Sequence, residues 1–227
     1  MMRRIARIAT LLAALLVVGI APGTRAQVAA DSGHAWIVRI AGVTNAEVCP
    51  CHSPSLLVPH DRDLYIVGIG LRKMLRSRTP DGLEVAYDLQ FLPLIVSRGT
   101  ADENLRVVVC QRQRYCANTS DLSPWSTRAV GIGVLPLGFT VLAPIAPRLR
   151  FQLRGAAGAL RLSKPVPVLE GHKFNFIAEA STGLELRVSS ALALTAGMVF
   201  NHISNGGTAA INPGMNSRMF EVGFVRR

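Results

Sequence analysis

The chain sets 25 Lys and Arg against 14 Asp and Glu over 227 residues, for a formal net charge of +11, and 49% of it is hydrophobic. A nucleic-acid partner is the ordinary implication of such a charge, but Arg3, Arg4, Arg7 and Arg25 lie in an export leader, and the remaining +7 suits an anionic lipid surface better. The length is that of one ordinary domain, and no repeat, charge run or low-complexity linker argues for two.

Residues 1–26 read as a signal peptide. Three arginines precede the apolar run Thr10 to Ala21, and Thr24-Arg25-Ala26 offers a small-residue cleavage site. The expected mature domain is 27–227. It is exported, so its four cysteines, Cys49, Cys51, Cys110 and Cys116, are expected as two disulfides. A bond between Cys49 and Cys51 would strain a one-residue loop, so each is expected to join Cys110 or Cys116, in an order left open. A zinc site using these thiolates with His52 or His60 is the rival, but C-x-C with C-x5-C departs from zinc spacing. No metal and no cofactor is expected.

Beyond the leader, the uncharged stretch Ala129 to Ala146 is long enough to span a bilayer as a helix. Gly131, Gly133, Pro136, Gly138 and Pro144 interrupt it, and the rest is rich in β-branched residues, which is strand chemistry with a bend and a turn. The remainder alternates with period two. From Leu83, the residues Leu83, Val85, Tyr87, Leu89 and Phe91 oppose Glu84, Asp88 and Gln90; Leu149, Phe151 and Leu153 alternate with Arg148, Arg150, Gln152 and Arg154. From Phe174 to Val188 the even positions are nearly all apolar, while the odd ones include Asn175, Glu179, Ser181, Glu185 and Arg187. One face wants hydrocarbon and the other a polar lumen, in which acids and bases neutralise one another.

This pattern predicts an all-β fold, an eight-stranded antiparallel transmembrane β-barrel. Its strands are Trp36–Val43, Leu64–Leu75, Leu83–Val96, Ala129–Leu142, Arg148–Leu162, Phe174–Val188, Leu192–Ile203 and Ser217–Arg226. Short connections at Thr79-Pro80-Asp81-Gly82, Ala143 to Pro147 and Ser189-Ser190 alternate with longer ones, as in outer-membrane barrels. A soluble β-sandwich or lipocalin-like barrel would show the same alternation with its apolar side inward.

The chemistry gathers in Asn201-His202-Ile203-Ser204-Asn205-Gly206-Gly207, followed by Asn212-Pro213-Gly214-Met215-Asn216. Residues two apart on a strand share a face, so His202 stands as a general base beside the nucleophile Ser204. Their face continues through Phe200, Met198, Ala196, Leu194 and Leu192, an apolar stripe assigned to lipid. A site there would meet a lipid substrate from the side. Taken singly, a strand-end histidine, a Ser-Asn-Gly turn and an Asn-Pro-Gly turn are commonplace; spacing, parity and position together favour a site.

His-x-Ser-Asn followed by Asn-Pro-Gly resembles the lipid A 3-O-deacylase family, in which that motif lies on the last hairpin of an eight-stranded outer-membrane barrel. The resemblance covers mainly residues 174 to 224. It implies that Ser204 attacks the ester of a 3-hydroxyacyl chain and that His202 takes its proton. Asn212, with backbone amides such as those of Asn205 and Gly206, would stabilise the oxyanion. The family's acid falls at Asn216, whose amide can accept the histidine N–H but supplies no charge, and would favour the wrong tautomer if turned round.

The function expected on this basis is removal of an ester-linked 3-O acyl chain from lipid A or a related glycolipid. Partners would be lipopolysaccharide and outer-membrane lipids, with Arg112, Arg114 and Arg128 near substrate phosphates; a homodimer is compatible with this. The alternative is a non-enzymatic small barrel with disulfide-stapled binding loops. Acyl transfer to another lipid shares the first half-reaction with hydrolysis.

Overall fold

The computed structural model describes residues 33–43, 47–50, 58–59, 62–76, 82–99, 128–166, 172–208 and 213–227, with backbone alone at 47–50, 58–59, 62, 76, 99 and 213. Ten strands occur among them: β1 (His34–Val43), β2 (Glu47–Pro50), β3 (Val58–Pro59), β4 (Arg62–Arg76), β5 (Glu84–Gly99), β6 (Arg128–Ala146), β7 (Leu149–Leu162), β8 (Phe174–Arg187), β9 (Leu192–Ser204) and β10 (Pro213–Arg226). The signal peptide assigned to 1–26, Cys51, Cys110, Cys116, Asn212, Arg112 and Arg114 lie outside the described residues, so neither the leader nor the disulfides are tested by them.

Eight strands close a barrel. Hydrogen bonding runs β1-β4-β5-β6-β7-β8-β9-β10, and β10 returns to β1 in register from Trp36 opposite Arg226 to Gly42 opposite Phe220. Every neighbouring pair is antiparallel. Closure satisfies the backbone groups that an open edge would leave bare, which is what hydrocarbon demands of a spanning sheet. Among the described residues no helix is long and apolar enough to cross a membrane, and the uncharged stretch 129–146 is strand β6.

The two short strands were not expected. β2 pairs with Pro213–Asn216 of β10, beyond the stretch that β10 shares with β1, and β3 pairs with β2. The sequence predicts a loop there because four- and two-residue strands carry no readable period. Strand ends also differ. β6 runs through Pro144 to Ala146, so the turn expected at Ala143 to Pro147 shrinks to Pro147-Arg148, and Arg148 sits exposed in it instead of facing the lumen. β10 starts at Pro213, four residues before the expected Ser217, which brings Asn216 into the sheet.

Register shifts explain how prolines fit. They fall between Leu92 and Ile95 around Pro93, between Val134 and Leu137 around Pro136, and between Pro144 and Ala146. A bulge removes the ladder bond that proline cannot donate. It also resets the alternation: Phe91 and Leu94 both face outward across the first shift, as do Val134 and Leu137 across the second.

Outward positions form the apolar belt of a membrane-spanning barrel, with Leu137 61%, Phe139 52%, Leu153 53%, Met198 49% and Phe220 57% exposed. Inward positions divide into layers. Near the start of β1, Ala35, Ile37, Ala193 and Val225 cluster. Next, Arg72 grips Asp88 with Nε–Oδ1 at 2.8 Å and Nη2–Oδ2 at 2.9 Å, and reaches Glu185 at 3.1 Å. Arg150 bridges Glu84 and Glu185 in the same layer, and Thr140 donates to Asp88 at 2.6 Å. Midway, Arg39 binds Glu179 at 2.7 Å and Glu221 at 2.6 Å, and Arg154 binds Glu179 at 2.6 Å. Here two guanidiniums meet two carboxylates, so the expected neutralisation of lumen charges takes place.

The far end departs from the expected polar lumen. Leu64, Ile66, Leu92, Ile95, Leu135, Leu160, Ile177, Ile203, Met215 and Met219 fill it as one buried aliphatic cluster. These residues share inward parity with the ion-pairing ones: Ile177 precedes Glu179 by two on β8, and Ile203 follows Asn201 by two on β9. Such a core is solid, and it backs the end of the barrel where β9 finishes.

Candidate active site

β9 places His202 and Ser204 as its sequence demands. Val199, Asn201 and Ile203 are buried inward, so the intervening Met198, Phe200, His202 and Ser204 take outward parity, the last two half-buried where β9 leaves the apolar belt. β8 and β10 flank them. Ala178 and Asn216 lie directly opposite His202, and Phe176 lies opposite Ser204.

Asn216 and His202 meet as cross-strand partners. The imidazole Nδ1 stands 2.7 Å from Asn216 Oδ1, so the amide presents its oxygen to the ring. An oxygen there accepts, which puts the ring proton on Nδ1 and leaves the lone pair on Nε2. That is the tautomer a general base for Ser204 requires. Ser204 forms no hydrogen bond to His202 among the described residues; the bond that orients the base is closed and the bond to the nucleophile is open.

The loop after Ser204 turns on left-handed glycines. Gly206 and Gly207 have φ of 64° and 78°, a region that costs a side chain dearly. A Cβ on Gly206 would also lie 2.9 Å from the Phe176 ring. Asn205 has inward parity and is buried; its Oδ1 accepts from Gly207 N at 2.9 Å, and its carbonyl accepts from Thr208 N at 3.2 Å and Thr208 Oγ1 at 2.7 Å. The Asn205 side chain therefore shapes the turn and does not join the histidine. Gly206 and the Asn205 backbone follow Ser204 directly, while Asn212 lies outside the described residues.

Phe176, His172 and most of the basic rim escaped the sequence reading. Phe176, edge-on to Phe174 with centroids 5.6 Å apart, forms an aromatic wall beside Ser204. His172 contacts Thr208 Oγ1 at 3.3 Å through Nδ1 and ties the β7–β8 connection to the loop after Ser204. Arg98, Arg128, Arg161, Lys164 and Lys173 are exposed around this end of the barrel, so the basic rim extends well beyond the one described arginine singled out from sequence. Register alone brings Phe176 to Ser204, and no local motif announces it.

Comparisons with known proteins bear on this hairpin. The family model described as Lipid A 3-O-deacylase (PagL) matches residues 169–225, the C-terminal quarter, which is thus PagL-like in sequence and holds His202, Ser204 and Asn216. No curated protein matches the chain. Among solved structures, the outer membrane enzyme PagL is 13% identical, covering 83% of this chain and 99% of its own, with a TM-score of 0.46. Neisserial surface protein A is 17% identical, covering 86% and 97%, with a TM-score of 0.44. Outer membrane protein AlkL is 9% identical, covering 91% and 96%, with a TM-score of 0.46.

Proposed function

We propose that this chain is an outer-membrane ester hydrolase that removes the 3-O acyl chain of lipid A or a related glycolipid. The reading rests on one observation above others: a histidine oriented by an amide oxygen at 2.7 Å, two residues from a serine, on the outward face of a hairpin that matches the lipid A 3-O-deacylase model.

The chemistry is serine-ester hydrolysis. Ser204 Oγ attacks the acyl carbonyl carbon while its proton passes to His202 Nε2, and Asn216 Oδ1 holds the Nδ1–H. The tetrahedral oxyanion takes hydrogen bonds from backbone amides following Ser204 and from Asn212. Collapse expels the sugar alkoxide, which leaves with the proton from Nε2, and the acyl chain stays on Oγ. Water, deprotonated by the same nitrogen, then releases the fatty acid and restores the serine. The outward parity of the pair admits a lipid laterally from the leaflet, and the basic rim suits its phosphates. Export by residues 1–26 and two disulfides among Cys49, Cys51, Cys110 and Cys116 complete the reading.

An uncharged residue at 216 favours a second reading, a barrel without activity whose loops bind a partner. Mass spectrometry of lipid A from cells making the wild-type chain or Ser204→Ala at equal outer-membrane levels separates the two. Loss of one hydroxyacyl mass with wild type alone supports the hydrolase; identical lipid A in both supports the inert barrel.

A further inference from the structure

The strands around the proposed site carry their charges unevenly. Glu179, Glu185 and Glu221 are the acids of β7 to β10, and all three are buried in the lumen against arginines. The outward face of these four strands therefore presents no carboxylate, but it does present Arg218. Ser217 and Met219 on either side of it are buried, so Arg218 takes the outward parity of Asn216 and Phe220, and it is exposed. The lumen arginines Arg39, Arg72, Arg150 and Arg154 are each held by a carboxylate, whereas Arg218 has no side-chain hydrogen bond, ion pair or ring contact among the described residues.

Register sets Arg218 beside the proposed catalytic pair. Asn216 lies directly opposite His202, and the next outward pair on the same two strands is Arg218 opposite Phe200. Arg218 is thus a diagonal neighbour of His202, at a separation of roughly 7–8 Å that a long side chain spans. The tilt of the strands raises it further. Followed from Val38 through β10, β9, β8 and β7, directly opposite residues arrive at Ala146 on β6; followed the other way, through β4 and β5, they arrive at Val134. Such rows climb from β9 to β10 toward the end of the barrel that holds the site, which lifts Arg218 from the level of Phe200 toward that of His202. A cation on the lipid face destabilises a barrel increasingly with depth. With Phe200 opposite and Phe220 next along the strand, 48% and 57% exposed, Arg218 needs an anion, and no acid of these strands faces it.

We propose that Arg218 binds a phosphate monoester on the sugar of the glycolipid substrate and fixes that sugar over Ser204; the inference rests on the ester-hydrolase reading given above. Its planar fork offers parallel N–H donors to two phosphate oxygens, and its aliphatic stem can cross the apolar face while the head reaches the headgroup level. The phosphate belongs to the molecule whose ester is cleaved, so anchoring the one restrains the other, and the acyl chain is left to the apolar belt. The rim cations act elsewhere: Arg161 is opposite Phe174, beyond Phe176 and two strands from His202.

The test measures deacylation by the full chain in phosphatidylcholine vesicles, with lipid A and with dephosphorylated lipid A as substrates, for wild type, Ser204→Ala, Arg218→Gln and Arg218→Lys. The readout is each variant's preference, kcat/KM for lipid A divided by kcat/KM for the dephosphorylated lipid, in which any difference in the amount of folded barrel cancels. Wild type should prefer the phosphorylated lipid, and Arg218→Gln should lower that preference about tenfold, mostly through KM, as the loss of a charge-assisted pair implies. Arg218→Lys should keep part of it, since an ammonium serves phosphate as a point charge. If Arg218→Gln instead slows both substrates alike, and only once phosphatidylglycerol is added to the vesicles, the arginine serves bilayer phosphates and the proposal is overturned. If wild type is as inert as Ser204→Ala on both lipids, the hydrolase reading fails and takes this inference with it; if wild type is active and its preference is undiminished in Arg218→Gln, only the inference fails.

Discussion

At position 216 an amide oxygen stands 2.7 Å from the imidazole where the related family places an acid. The contact sets the tautomer but gives little electrostatic help, because a neutral acceptor binds an imidazolium less strongly than a carboxylate does. Asn216→Asp keeps the size and the distance and adds the charge, so kcat for lipid A deacylation should rise on the order of tenfold. Asn216→Leu removes the acceptor and should lower kcat by about a hundredfold. Steady-state rates on purified, refolded protein check both, with circular dichroism confirming that the barrel persists. Ser204 and His202 differ from this position in that neither has a chemical substitute nearby on the same face of β9, whose outward neighbours Met198 and Phe200 are inert.

Strands and turns set where these side chains can go. The turn after β9 depends on φ of +64° at Gly206 and on the Phe176 ring beside it. Gly206→Ala should therefore cost about 1–3 kcal/mol locally and cut activity while leaving global unfolding nearly unchanged. Activity assays beside urea denaturation distinguish the two effects. In β6, the shift around Pro136 keeps Leu137 facing out near the middle of the strand. Leu137→Arg at that depth should destabilise the protein in bilayers by about 2–4 kcal/mol. A soluble barrel would expose the same arginine to water and lose almost nothing, so refolding equilibria in lipid vesicles test the membrane assignment without any assay of function.

The whole molecule stands on a closed ladder around two kinds of interior. Glu179 is the hub of the middle layer, with Arg39 at 2.7 Å and Arg154 at 2.6 Å, all three buried. Replacing it with Ala takes from Arg154 its close carboxylate and leaves both guanidiniums to share Glu221, 2.6 Å from Arg39 and 3.7 Å from Arg154; the expected loss is about 3–5 kcal/mol, measured as a shift in the urea unfolding midpoint. Glu179→Gln should cost less, since one amide oxygen still accepts. The aliphatic cluster beyond this layer packs behind the end of β9, so the strand that carries His202 and Ser204 is backed by close-packed side chains.

Much of this was legible in the residues. Period-two alternation along β5, β7 and β8 dictated strands with one apolar face, because side chains two apart share a face whatever the fold around them. The same rule set His202 and Ser204 side by side, since that reading is local to one strand. The closing pairing of β10 with β1, the bulges that absorb Pro93 and Pro136, and the aliphatic filling at one end were decided by tertiary structure. So were the neighbours across strands. Phe176 beside Ser204, Asn216 against His202 with its oxygen inward to the ring, and Glu47 opposite Asn216 depend on register between segments up to about 170 residues apart. Periodicity tells a strand which way its side chains face; only the hydrogen-bonded register tells it whom they meet.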